Sequence, residues 1–86
     1  MLNLAEQKAL AAKLLGLSNE EVETYSSIIE ENNALYVSVP EKGGDSLIVG
    51  QEGDVLYADS SIGYSRHIEE FSRGRRTPIE AFNNSF

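Results

Sequence analysis

The sequence predicts a small α+β domain. Two N-terminal helices lead into a three-stranded antiparallel β-meander, followed by a C-terminal helix and a short terminal helix (α-α-β-β-β-α). Three observations carry this expectation. The first 31 residues are rich in helix formers and contain a capping box. Residues 34–59 hold three short apolar runs separated by glycine-containing turns. Residues 65–82 return to helical spacing with new start signals.

The first helix is expected over residues 2–15. Leu4, Leu10, Leu14 and Leu17 fall near one face, with Ala11 between them, and Gly16 suits a left-handed residue that ends the helix. The second is expected over 19–31. Ser18 and Glu21 form the capping box, flanked by Leu17 and Val22 at the hydrophobic-staple positions. Val22, Tyr25, Ile28 and Ile29 would form its apolar face, and Asn32 and Asn33 would end it.

"ALYVSV" alternates as a strand should, and Pro40 stops it because proline has no N–H for a ladder. "EKGG" reads as a turn. "DSLIVG" and "DVLYAD" read as two further strands, joined through "GQEGD" as a hairpin. Ser65 is the expected N-cap of the third helix, with Ile68 and Phe71 facing inward and Gly74 closing it. Thr77, Pro78 and Glu80 repeat the start signal, so a terminal helix is expected over 78–82, with Phe82 buried and Phe86 outside the core. Helices would cover one sheet face. The other face would present Tyr36 and Tyr57, and two sheet edges would stay open.

Composition narrows the function. Eighty-six residues, 41% of them apolar, fit one small globular domain with no bilayer-spanning run. The N-terminal stretch has no basic region before its apolar part, since Glu6 precedes the first basic residue, Lys8. A cytoplasmic chain is therefore expected. Absence of cysteine excludes disulfides and thiolate metal sites. Net charge is −7. Residues 1–59 carry eleven acids against three bases, whereas residues 60–86 carry three acids against four bases. Such a balance argues against binding nucleic acid and favours a basic protein partner.

The glycines of "GGDSLIVGQEGDVLYADSS" precede strands rather than a helix, and no Lys-Ser/Thr pair follows them. They are turn residues, not a phosphate loop. Asp45, Asp54 and Asp59 lack the spacing of a calcium loop. Asp59, Ser60, Ser61 and His67 include the residue types of a triad without a nucleophile elbow. His67 is expected at the core edge or in solvent. The chain is therefore read as a non-enzyme that uses no cofactor or metal, with His67 the only general-base candidate.

Two charged groups remain. Glu20, Glu21, Glu23, Glu30 and Glu31 lie in a stretch, residues 14–41, with no lysine or arginine. Glu20, Glu23, Glu30 and Glu31, with Tyr36 and Tyr57, are the candidate partner-binding residues. Arg73, Arg75 and Arg76 form one basic cluster, expected to pair with carboxylates of the same chain or a second subunit.

Residues 34–58, with "ALYVSV", "GGDSLIV" and "GQEGDVLYA", resemble the YrhB-like group of small bacterial proteins called immunity protein 35. The chain departs from that group in having no tryptophan and in placing Gln51, not an aspartate, before "EGDV". The resemblance implies a cytoplasmic protein that neutralises a toxin by binding it. The expected function is a protein-binding module of immunity or inhibitor type, its partner a basic toxin or nuclease. A homodimer assembled through a sheet edge or the N-terminal helix is the alternative reading. A small enzyme using His67 is the third.

Overall fold

The computed structural model describes residues 1–40, 44–59 and 61–85, and of 83–85 the backbone only. Its elements are α1 (Leu4–Leu15), α2 (Asn19–Tyr25), β1 (Ser26–Ile29), β2 (Ala34–Val39), β3 (Asp45–Val49), β4 (Val55–Ala58), α3 (Tyr64–Ser72) and α4 (Glu80–Ser85). The four strands form one antiparallel sheet in the order β1-β2-β3-β4. The fold is α+β, with one strand more than the sequence predicts.

The extra strand comes from the second half of the expected second helix. The Ser18 cap works as read: its hydroxyl accepts from the Glu21 N–H at 3.1 Å, and the Glu21 carboxylate accepts from the Ser18 N–H at 2.9 Å. The helix nevertheless ends at Tyr25, and Ser26 is already extended at φ −101°, ψ 153°. Serines compete for backbone hydrogen bonds and isoleucines are β-branched, so "SSII" favours a strand. A helix to residue 31 would also have set Glu30 and Glu31 against the negative end of its dipole. Asn32 and Asn33 therefore close a β-turn rather than a helix. Asn33 takes the left-handed conformation at φ 50°, which asparagine tolerates.

The ends of α1 follow the sequence closely. Asn3 caps it with Glu6, and Gly16 takes φ 68°. The N–H of Leu17 returns to the Ala12 carbonyl at 2.9 Å, as in a Schellman end. Leu4, however, is exposed and Gln7 is buried. The Gln7 amide donates to the carbonyls of Asn33 and Val49 at 3.1 and 3.0 Å, tying the helix to two strand ends.

Helices cover both faces of the sheet, not one. On the first face, Ala11, Leu14 and Leu15 of α1, Val22 of α2 and Phe82 of α4 pack on Leu35, Val37, Leu47, Val49 and Val55. On the second, Phe71 and Ile68 of α3 pack on Ile29, Ala34, Tyr36, Ile48 and Leu56. Each fully buried Leu, Ile, Val or Phe among them stabilises the fold by about 1.5–3 kcal/mol.

The β3–β4 hairpin uses its glycines as turn residues. The Gly50 N–H donates to the Asp54 carbonyl at 2.8 Å, and Gly53 sits at φ 82°, the left-handed position of a three-residue loop. Helix α3 starts one residue before the expected cap: Gly63 is its N-cap, with no side-chain bond, so Ser65 lies inside the helix. Thr77 does not cap a helix either. Its N–H donates to the Val55 carbonyl at 2.8 Å and its hydroxyl accepts from the Tyr57 N–H at 2.9 Å, which leaves it holding β4. Most of the expected "EKGG" turn, and Phe86, lie outside the described residues.

Gly50 is also required by space. A Cβ there would collide with the Asp54 carboxylate and come within 3.0 Å of the Phe71 ring. Gly50→Ala should therefore lower stability by about 1–3 kcal/mol. Urea denaturation measures this, and an unchanged midpoint would show that the hairpin and α3 are not packed as described.

Candidate functional site

The acids are arranged differently from the single helical patch that the sequence predicts. Glu20, Glu21 and Glu23 belong to α2, whereas Glu30 and Glu31 stand exposed in the β1–β2 turn. Glu21 is occupied by the cap, and Glu23 pairs with Lys8 of α1 at 2.6 Å. Among the described residues no ion pair is formed by Glu20, Glu30 or Glu31. Strand β1 runs directly between the two acidic groups, with no linker on either side.

Tyr36 and Tyr57 do not share a surface. Alternation on β2 and β4 sends them to opposite faces of the sheet. Tyr36 is half-buried against α3, edge-on to Tyr64 at 4.6 Å and to His67 at 5.7 Å between ring centres. Tyr57 lies on the α1 face, 6.0 Å from the Phe82 ring, and its hydroxyl donates to the Asp45 carboxylate. Burial first, then the Asp45 hydrogen bond and charge, push the Tyr57 phenol up to about 12. The joint tyrosine surface expected from the sequence is therefore absent, because both faces already carry helices.

His67 is 1% exposed, not at the core edge or in solvent. Its Nε2 lies 2.8 Å from the Leu56 carbonyl, which can only accept. Nε2 therefore carries the proton, and Nδ1 accepts from the Ser46 hydroxyl at 3.0 Å. Ser46 is equally buried at 1%. Desolvation lowers the His67 pKa, opposed in part by the Leu56 bond, so the ring is neutral in the fold. The triad residue types are not assembled. The Asp59 carboxylate accepts from both the N–H and the hydroxyl of Ser61, which lowers its pKa, while His67 is engaged with Ser46 and Leu56. Ser60 lies outside the described residues.

The arginines pair within the chain, but not with α2. Arg73 meets Glu69 at 2.6 Å and Arg75 meets Glu70 at 2.8 Å. Arg76 pairs with Asp54, donates to the Phe71 carbonyl at 2.7 Å and lies 3.7 Å over the Phe71 ring centre. Arg76 thus clamps the end of α3 to the β3–β4 turn, while Arg73 and Arg75 pair with the end of α3 itself. The first pair is exposed and the second has an exposed arginine on a partly covered Glu70; each contributes about 0–1 kcal/mol.

A cleft of about 220 Å³ opens beside His67, lined by Leu56, Ala58, Ile62, Arg66 and Arg75. Another of about 270 Å³ lies between Asn32, Glu52, Asp54 and Ser72. Both are smaller than the roughly 300 Å³ at which ligand pockets ordinarily begin. Among the described residues no three acidic or histidine side chains converge as a metal site, and no helix is long and apolar enough to cross a membrane. The uncovered features are the acidic groups and the strand between them. Sequence reading found the acids but not the strand. The signal was present in "SSII", which suits period-two pairing as well as a helical face.

Two titrations follow from these groups. The unfolded chain protonates His67 near pH 6.5 while the folded chain resists, so stability should be full above that value and fall as pH drops below it. Urea midpoints measured between about pH 7 and 5 should decline, and His67→Gln should remove that slope. Tyr57 has the opposite sign. Its contribution is present below pH 10 and is lost as pH rises toward about 12. Phenolate absorbance should show one tyrosine ionising late, and its disappearance in Tyr57→Phe would confirm the assignment.

No family model, curated protein or solved structure matches this chain.

Proposed function

We propose that the chain is a small cytoplasmic protein-binding module of immunity or inhibitor type, which recognises a basic partner through the acidic end formed by α2 and the β1–β2 turn. The observation that carries this reading is the exposure of Glu20, Glu30 and Glu31, which have no counterion among the described residues, in a stretch lacking lysine and arginine. Potentials of one sign raise encounter rates with the opposite sign. The arginines do not neutralise this end, since their partners are Glu69, Glu70 and Asp54. Net charge of −7 favours a basic toxin or nuclease over nucleic acid itself.

The resemblance of residues 34–58 to the YrhB-like immunity protein 35 group of bacteria supports the same reading, and those residues span β2 to β4. Burial of His67 and Ser46 supports a binder over an enzyme, because neither side chain reaches solvent. One observation favours homo-oligomerisation as a second reading: Ile28 is 46% exposed on the edge strand β1.

The test is capture of a partner from the native cell, followed by association kinetics. Glu30→Lys combined with Glu31→Lys should slow association by about tenfold or more at low salt and flatten its salt dependence. Equal rates and equal salt slopes would remove this end of the molecule as the binding surface.

A further inference from the structure

The two edges of the sheet are finished differently. On β4, the Gly50–Asp54 bond sets the ladder phase, so residues 54, 56 and 58 pair with β3 and residues 55 and 57 point outward. Thr77 covers those outward groups: it donates to the Val55 carbonyl and accepts from the Tyr57 N–H. The chain thus uses its own segment after α3 to close this edge.

On β1 no such cover exists among the described residues. Ser26–Ile29 bond to β2 and, through Ile29, to Asn32 of their own turn. The strand contains no lysine, proline or charged residue, the usual devices that keep an edge from pairing. Ser27 and Ile28 are exposed on it. Backbone donors and acceptors along such an edge are a template for an incoming strand.

Charge selects what can pair there. Glu20 and Glu23 precede the strand on α2, Glu30 and Glu31 follow it directly, and among the described residues only Glu23 of these four forms an ion pair. A second copy laid along β1 would bring like charges together at both ends, which is destabilising. A basic segment would find opposite charge at both ends.

We propose that the outer edge of β1 accepts an extended basic segment of a partner protein as a fifth strand. The inference rests on the acidic-surface reading above and specifies the form in which the partner is held. Main-chain bonds would supply pairing, and the flanking glutamates would supply steering and choice of partner.

The test uses the full chain, labelled for amide detection, with two synthetic peptides of about ten residues alternating lysine and threonine. One has ordinary amides. The other is N-methylated at alternate positions, which keeps its charge and removes its pairing donors. The ordinary peptide should slow hydrogen exchange at Ser26–Ile29 and leave Val55–Ala58 unchanged. Methylation should weaken binding by about tenfold or more. Equal affinity for both peptides, or protection on β4 instead of β1, overturns strand addition while leaving the acidic-surface reading intact. No binding of either peptide at low salt overturns both. A dimer mass by light scattering without peptide, with β1 amides already protected, assigns the edge to a second copy and also overturns the proposal.

Discussion

Burial of β3 on both faces is the constraint on which the rest of the molecule depends. Ser46, Leu47, Ile48 and Val49 are each 1% exposed or less, so consecutive side chains pointing in opposite directions all need cover. Leu47 and Val49 are covered by α1 and α2. Ile48 is covered by α3, and Ser46 is satisfied by His67. A sheet covered on one side would leave half of this strand in water. The three-layer arrangement follows, and with it the displacement of both candidate tyrosines from any open face.

The second layer also explains the histidine. Once α3 lies on the sheet, a polar side chain under it must find partners or cost several kcal/mol. Ser46 would be buried with an unmet hydroxyl, and His67 supplies the acceptor while spending its own proton on Leu56. Catalytic residue types are therefore consumed in holding α3 down. Arg76 acts toward the same end from the other side, stacked on Phe71 and paired with Asp54 in the turn. Gly50 is the point where these groups crowd together, which is why no side chain fits there.

Much of the fold was legible because the signals were local. The Ser18–Glu21 box, the Gly16 terminus and the hairpin through Gly53 each depend on a few neighbouring residues, and each stands where it was read. The candidate site was legible only as composition. The acids were visible, but their division between α2 and a turn was not, because "SSII" has no local feature that excludes a helix. Competition from β2, whose free edge β1 covers, decides the matter. Thr77 carries the same lesson. Its cap signature was sound, yet two outward groups on β4 claimed its N–H and hydroxyl.

By itself the sequence determined the α+β class, the Ser18 start of α2, the Gly16 end of α1, the β3–β4 turn and the acidic balance of the first 59 residues. These are properties of short segments or of simple addition. Tertiary structure alone decided that helices lie on both faces, that residues 26–29 are a strand, that His67 is buried and neutral, and that one sheet edge is covered while the other meets no cover among the described residues. All of these depend on which distant segments compete for the same backbone groups and the same apolar surface. The physical reason is that an edge or a face is closed only by something elsewhere in the chain. Here the segment after α3 reaches β4, and among the described residues nothing reaches the outer side of β1.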